Sequence, residues 1–360
     1  MTYGTTEART AAGLTVGLDV SDIYTSLCTL DEEGNVAEEG RVRTTTPGLE
    51  RWLHGLAPCR MVLEVGTHSP WMSRLLAGFG HEVIVANARQ VRLIAESDRK
   101  RDRTDAEVLA RLGRLDPALL RPIQHRGPEA QQDLALLRAR DTLVRTRTGL
   151  INHLRGAVKA AGGRLPACSA SSFHRKAEPA LPRALHHALL PILAIIADLT
   201  ARIREYDQVV ERALDERYPV GRVFQQVVGV GPLTALAYVL VIEDPGRFQK
   251  SREVGPYLGM VPRQSQSGER APQLRITKAG DALLRRLLVQ SAHYILGPFG
   301  PDTELRRWGL RLAGTGSSRA KRRAVVAVAR KLAVLLHRLW VTGEVYHPLL
   351  AESEAAAHVG

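Results

Sequence analysis

The chain has 360 residues, 44% of them hydrophobic, and a formal net charge of +13. This length predicts two or three domains with real cores, and the charge favours a polyanionic partner, nucleic acid before a membrane surface. The cysteines Cys28, Cys59 and Cys168 form no Cys-x-x-Cys pair, which argues against a disulfide framework and a structural zinc site and indicates a reducing compartment. The N-terminus lacks the apolar core of a signal peptide, and the apolar run "ALLPILAIIADL" is short and interrupted by Pro191 and Asp198. We therefore expect no membrane partner.

The N-terminal region is predicted to be an α/β domain over residues 14–120, after a tail at 1–13. Three strands come first, "GLTVGLDV", "IYTSLCTL" and the weaker "VAEEGRVRTT", with a hairpin turn at Gly34 and Asn35. Helix "PGLERWLHGL", strand "RMVLEV", helix "SPWMSRLLAGFG", strand "HEVIVANA" and helix "RDRTDAEVLARL" then alternate. This order predicts a mixed sheet packed against helices.

The middle region, residues 129–218, has an almost entirely helical pattern. Gly162 and Gly163 are placed to end its first long helix, and "LLPILAIIADLTARIREYDQVVERALDERY" forms a second helix that runs back. We predict an antiparallel, coiled-coil-like pair, either a dimerisation arm or a plain helical spacer. The apolar stripe of the first helix consists of Leu134, Leu137, Leu143, Val144, Leu150, Ile151 and Leu154.

The C-terminal region, residues 224–348, is predicted to be an all-helical domain followed by a tail at 349–360. Gly229, Gly231 and Pro232 lie between two helical patterns, as in a helix-hairpin-helix. Such a turn presents backbone N–H groups to a DNA phosphate, although Gly-x-Gly also occurs in ordinary turns. A polar, basic loop then leads into a helix predicted to start near Lys278.

The end of this region is strongly basic. Residues 301–340 contain ten Lys or Arg against two acidic residues. A charge run is usually a solvated helix face, but this imbalance favours contact with nucleic-acid phosphates. We call four of these residues the basic segment: Arg319, Lys321, Arg322 and Arg323.

Four acidic residues in the N-terminal region are candidates for a metal site. Asp19 ends the first strand, Glu64 lies inside the apolar "MVLEV", and Asp102 and Asp105 share one face of a helix. Each acid taken alone is explained better as an ordinary strand-end or solvated carboxylate, and that explanation is weakest for Glu64, because its burial in an apolar strand would be costly. Four converging carboxylates repel, and Mg²⁺ or Mn²⁺ would relieve that repulsion and promote phosphoryl transfer.

These motifs, in this order, resemble the DEDD, RuvC-like domain of the Piv/MooV-type transposases and invertases, insertion-sequence enzymes described as bridge-RNA-guided recombinases. The matching stretches are "GLDVS", "VLEVGTHSPW", "VIVANARQVR" and "RDRTDAEVLARL". The C-terminal transposase domain of that family resembles "VVGVGPLTA", "YLGMVPRQSQSGE", "RITKAGDALLRRLL" and "AVVAVARKLAVLL". The chain departs from the family pattern at "GTHSPW" after Glu64 and at "RDRTDA", where the family commonly has Lys before the Asp pair. Neither departure removes an acid, so both concern loop contacts and not the chemistry.

The resemblance implies a RuvC/RNase H-like catalytic domain, a helical middle region and a C-terminal domain with a catalytic serine. The family's Ser-Gly motif matches Ser267 and Gly268, with Ser265 as the rival nucleophile. Positive charge for the attacked phosphate would come from Arg263, Arg270 and Lys278. The implied partners are donor and target double-stranded DNA, a guide RNA, and further copies in a dimer or tetramer. The implied location is cytoplasmic, at the nucleoid.

Three other functions compete with this interpretation. A RuvC-like nuclease or Holliday-junction resolvase would use the four acids without a serine and would not need "QSQSGE". An actin-like sugar kinase would share a first phosphate motif like "GLDVSDIYTSLCTLDEEGNV", but no second Gly-rich phosphate loop follows a later strand. A non-catalytic DNA-binding protein would explain the charge but not Glu64.

Overall fold

The computed structural model describes residues 13–89, 102–264, 274–314 and 316–349, with only the backbone described at 102–104. The chain divides into two compact units, Met1–Arg126 and Gly127–Gly360. The N-terminal unit contains the predicted order of three strands followed by alternating helices and strands. Its strands are β1 (Thr15–Val20), β2 (Tyr24–Leu30), β3 (Val36–Arg43), β4 (Arg60–Glu64) and β5 (Glu82–Ala86). Its helices are α1 (Thr46–Leu53), α2 (Ser69–Gly78) and α3 (Asp102–Leu115).

The five strands form one mixed sheet in the order β3-β2-β1-β4-β5. β1, β2 and β3 are antiparallel neighbours, and β4 and β5 run parallel to β1. The predicted hairpin joins β2 to β3, with Gly34 at φ +88° in the turn. The mixed sheet predicted from the alternating sequence pattern is therefore confirmed.

The two faces of the sheet pack against different helices because successive strand residues point to opposite faces. Val16 and Leu18 of β1 pack with the buried residues of α1 and α2. Gly17 lies on the other face, where a side chain would come within 1.9 Å of the Ala106 carbonyl oxygen of α3. Only glycine lets this helix backbone approach so closely, and that contact sets where α3 crosses the sheet.

The second unit begins with the predicted antiparallel pair. Asp133 of the first long helix contacts Arg217 of the second, Arg140 contacts Asp207, and Arg147 contacts Thr200. The contacts ascend along one helix as they descend along the other, so the two helices run in opposite directions. The α-helices that the structure describes in this unit are α4 (Pro128–Ala160), α5 (Phe173–Ala177), α6 (His186–Glu216), α7 (Gly221–Phe224), α8 (Pro232–Ile242), α9 (Val254–Tyr257), α10 (Ala282–Leu296), α11 (Glu304–Ala313) and α12 (Ser318–Thr342).

The predicted apolar stripe of α4 is buried only towards its two ends. Leu134, Leu137, Ile151 and Leu154 are buried, whereas the residues between them are only partly covered. The middle of the pair is joined instead by polar contacts, including the Arg140–Asp207 ion pair at 2.5 Å. The second unit therefore has two separate apolar clusters along the arm.

The helix at residues 183–216 extends beyond the interrupted apolar run seen in the sequence. Among the described residues it alone is long and apolar enough to cross a membrane, and 22% of its apolar window is buried. A single such helix is weak evidence for a membrane span, because helices of soluble proteins pass the same test. Its Leu189, Leu193 and Ile196 pack into the apolar cluster shared with α4.

The C-terminal helices surround α8, nine of whose eleven residues are buried. The predicted helix start near Lys278 is wrong. Lys278 has φ +55° and Gly280 has φ +71°, which are left-handed conformations incompatible with a right-handed helix. Helix α10 instead begins at Ala282, where the Asp281 carboxylate accepts a hydrogen bond from the Leu284 N–H at 2.9 Å.

Candidate acidic site and basic cleft

Asp19 and Glu64 come from adjacent parallel strands at the same edge of the sheet. Leu18 pairs with Leu63 in the β1–β4 register, so the next residue of each strand is one of these acids. Asp19 alternates in phase with Gly17, and Glu64 alternates in phase with Val62, which packs against α3. Both carboxylates therefore belong to the face of the sheet that α3 covers, and both residues are half-buried.

Helix α3, which carries the second pair of predicted acids, starts at the same edge. Ala106 lies over Gly17, in the middle of β1, while the later residues Arg111 and Gly113 form hydrogen bonds with Gly34, in the hairpin beside the start of β1, and with Arg60, at the start of β4. The helix thus runs antiparallel to β1 and β4, and its first turn lies at their carboxyl ends. The half-buried Asp105 directly precedes Ala106. Asp102 begins the helix, but its side chain lies outside the described atoms.

The donor set fits a divalent cation in kind, because Mg²⁺ and Mn²⁺ prefer carboxylate oxygens. Among the side chains that the structure describes, however, no three from His, Cys, Asp and Glu form a group able to hold a metal. The side chain of Asp102 is not in that set. The four-carboxylate metal site consequently stays a prediction.

The loop after Glu64 makes contacts that the sequence did not indicate. The Trp71 Nε1–H donates to His68 Nδ1 at 3.2 Å, so the proton of a neutral imidazole lies on Nε2. His68 Nε2 lies 3.1 Å from Asp22 Oδ1, which links this loop to the turn that follows Asp19. The departure at "GTHSPW" therefore supplies contacts next to the acidic edge.

The second half of that loop is anchored by a buried serine. The Ser69 hydroxyl donates to the Gly66 carbonyl at 2.8 Å and lies 2.9 Å from His125 Nε2. Burial, together with the nearby Arg74 and Arg126, lowers the pKa of His125 below its usual value. The neutral form of His125 is thus favoured at physiological pH. Sequence spacing carried no signal for this pair, since 56 residues separate its members.

The candidate nucleophiles Ser265 and Ser267, with Gly268 and Arg270, lie outside the described residues. The two ends of their loop are described. The N–H of Arg263 donates to the Arg275 carbonyl at 2.9 Å, and the N–H of Lys278 donates to the Gly259 carbonyl at 3.0 Å. A side chain at Gly259 would come within 2.2 Å of the Ala279 backbone nitrogen. The loop therefore begins and ends on a tightly packed two-stranded ribbon.

A cleft of about 1410 Å³ lies beside this ribbon. One wall is the N-terminal half of α12, which begins with the exposed basic segment. The other walls are α11 and the ribbon itself. We call it the basic cleft, and its cations are Arg275, Lys278, Arg319, Arg322, Arg323, Arg330 and Lys331. Of the basic segment, only Lys321 does not line it.

The predicted Gly turn precedes α8. Gly229 has φ +95°, and a side chain there would come within 3.2 Å of the Ser291 carbonyl oxygen. Gly231 is the exposed N-cap of α8 and provides no side-chain cap. Nucleic-acid binding by this turn stays a prediction, as do the phosphate contacts expected of Arg263 and Lys278.

Comparison with known proteins covers both units. Residues 16–161 match a transposase family model of the DEDD, IS110 type, and residues 221–303 match the model "Transposase IS116/IS110/IS902 family". The transposase for insertion sequence element IS1111A of Coxiella burnetii is 29% identical, over 92% of this chain and 90% of the relative. A probable family 20 transposase of Pseudomonas aeruginosa is 28% identical, over 81% and 87%. The transposase for insertion sequence element IS1328 of Yersinia enterocolitica is 28% identical, over 77% and 82%.

Proposed function

Because the chain belongs to the IS110/IS116/IS902 family of DEDD transposases, we propose that it cleaves and rejoins DNA strands with a metal-binding acidic site and a serine nucleophile. Its relatives are transposases of insertion sequences, and transposition acts on DNA. The observation that carries the chemistry is the register of β1 and β4, which makes Asp19 and Glu64 neighbours beneath the first turn of α3. The sheet order is also the one expected of a RuvC/RNase H-like domain.

The acidic site would consist of Asp19, Glu64, Asp102 and Asp105. The positive charge of a bound Mg²⁺ or Mn²⁺ would stabilise the negative charge that develops during phosphoryl transfer. The protein's own part is to hold its carboxylates at one edge of a rigid sheet, and Gly17 contributes by admitting α3. His68 and Asp22 would keep the adjacent loop in place while DNA enters.

The nucleophile would be Ser267. Its Oγ forms a bond to the attacked phosphorus as the hydroxyl proton leaves, and the bond from phosphorus to the departing sugar oxygen breaks while that oxygen gains a proton. The phosphoserine link keeps the phosphodiester energy for rejoining. Activation by the acidic site, from the same or a neighbouring protomer, belongs to this proposal. Arg263, Arg270 and Lys278 would stabilise charge on the phosphate, and their support is the ribbon that fixes both ends of the loop.

The partners we propose are donor and target double-stranded DNA, a guide RNA, and further copies of the chain in a dimer or tetramer. The phosphate contacts would come from the basic segment and from the turn at Gly229 and Gly231. Leu190 and Ile195 on α6 are 37% and 51% exposed, which supports packing of the arm against another copy. We propose the cytoplasm, at the nucleoid, as its location, because that is where such a DNA substrate would be met.

The decisive experiment traps the covalent intermediate on a suicide DNA substrate in the presence of Mg²⁺. Mass spectrometry should locate the DNA-linked peptide at Ser267, and Ser267→Ala should abolish the adduct whereas Ser265→Ala should retain it. Asp102→Asn should remove strand exchange without loss of thermal stability, because it removes no core packing. An adduct at Ser265 would reassign the nucleophile. Metal-dependent cleavage without any adduct would favour the second candidate, a RuvC-like nuclease or junction resolvase.

A further inference from the structure

We propose that the basic cleft binds an unpaired stretch of single-stranded DNA, with bases against its apolar walls and phosphates on its cations. The choice of DNA rests on the proposed function, in which DNA strands are cleaved and rejoined. The binding itself requires no catalysis. It can therefore be measured independently of the acidic site and the serine.

On the α12 wall, levels of basic and apolar side chains follow one another at the spacing of helical turns. Positions three or four residues apart lie on one helix face, and here they are basic, basic, apolar, basic and apolar. Arg322 and Arg330 are eight residues apart, so the cationic levels on either side of Val326 and Ala327 lie about 12 Å apart. The residues of α12 that line the cleft, in order, are Arg319 and Ala320, then Arg322, Arg323 and Ala324, then Val326 and Ala327, then Arg330 and Lys331, and last Val334.

The α11 wall offers an aromatic ring and an exposed aliphatic side chain one turn apart. The ammonium group of Lys331 lies 4.6 Å from the centre of the Trp308 ring, which joins the two walls. Leu312, four residues after Trp308, lines the cleft and is 49% exposed. The ribbon adds Leu274 and Ile276. Contacts with phosphates alone would leave these apolar side chains uncovered.

The charge of the cleft calls for an anion. Among the residues that the structure describes, none of its seven cations forms an ion pair with a carboxylate. A duplex satisfies such cations through its backbone but keeps its bases stacked inside, away from the apolar walls. Unpaired nucleotides can satisfy both, because bases stack on aromatic side chains while the backbone follows a positive groove.

The test compares binding of labelled single-stranded DNA, duplex DNA and single-stranded RNA of one sequence by fluorescence anisotropy, in chelator and without divalent cations. Leu312→Gln should weaken single-stranded DNA binding about fivefold or more, because an amide replaces apolar contact area. The duplex should bind that variant as it binds the parent chain. The matched control is Leu310→Gln on the same helix, where a side chain 43% exposed does not line the cleft. It should leave both affinities unchanged.

A charge-matched pair separates the cleft from the general positive field. Arg322→Gln and Lys321→Gln remove one charge from neighbouring exposed positions of α12, but only Arg322 lines the cleft. Arg322→Gln should weaken single-stranded DNA more than duplex DNA, whereas Lys321→Gln should weaken the two alike. Equal effects of the two variants on both ligands would overturn the proposal.

The remaining outcomes are equally decisive. Equal single-strand affinities for Leu312→Gln and Leu310→Gln would show that the cleft is not used. Tighter binding of RNA, with only the RNA responding to Leu312→Gln, would overturn DNA as the occupant. Should the serine adduct form normally while the cleft variants bind like the parent, the cleft proposal fails and the transposase chemistry stands. If no serine adduct forms but the cleft variants still bind single-stranded DNA more weakly than the parent, the serine chemistry fails and the cleft proposal stands.

Discussion

Replacement of Gly17 by alanine should displace α3 from the sheet. An added methyl group would lie 1.9 Å from the Ala106 carbonyl oxygen and 2.7 Å from the Ala110 nitrogen. Both atoms belong to the helix backbone, so no side-chain rotation relieves the contact. To restore an ordinary separation of 3.4 Å, the helix must move by about 1.5 Å relative to β1.

This displacement should reduce both stability and activity. Forcing extra methyl groups into a packed core typically costs about 1–3 kcal/mol, and a backbone contact belongs at the upper end of that range. Asp105 directly precedes Ala106, so it moves with the helix away from Asp19. A misplacement of about 1 Å can cost roughly 100-fold in rate, and we expect a loss of that size in metal-dependent strand exchange.

Alanine substitutions at two other glycines should cause smaller losses of stability, or none, and serve as comparisons. Gly113→Ala would place a methyl group 2.3 Å from Val62 Cγ2, a side-chain atom that can shift, so a smaller loss is expected. Gly40→Ala, on the edge strand β3, meets nothing within 4 Å and should be neutral or slightly stabilising. Urea unfolding of the full chain gives the stabilities, and hydrogen exchange of α3 amides localises the loss. Equal stability of the Gly17 and Gly40 variants would refute the close approach of α3.

Three further outcomes are expected. Replacing the basic segment with glutamines should lower the slope of log K against log salt for duplex DNA by about three to four, since up to four phosphate contacts disappear; an unchanged slope would mean that these side chains face solvent. Asp133→Asn should lower the urea-unfolding free energy by about 1–2 kcal/mol, because its carboxylate accepts from Arg217 at 2.6 Å and from Tyr218 at 2.8 Å. Burial raises the pKa of Cys59 to about 11, so iodoacetamide at neutral pH should label the half-buried Cys168 and spare Cys59 until the chain is unfolded; rapid labelling of Cys59 in the folded chain would contradict its burial.

The order of elements in the N-terminal unit could be predicted from the sequence because it depends on local patterns. Short apolar runs marked the strands, and the Gly34 turn marked the hairpin. The antiparallel helical pair could be predicted for the same reason. Local patterning failed at Lys278, because nothing in the residue type signals the left-handed backbone that the ribbon imposes there.

Which residues share a site was decided by tertiary structure. Asp19 and Glu64 are 45 residues apart, and they are neighbours only because β4 pairs with β1 in the register Leu18–Leu63. Strand pairing depends on contacts distant in sequence, and a shift of one residue would turn one acid to the opposite face. The cleft likewise exists only where three elements meet, since α12 alone reads as a basic helix with an apolar body. The sequence thus determined which chemical groups are present, and the packing of distant elements determined which of them can act together.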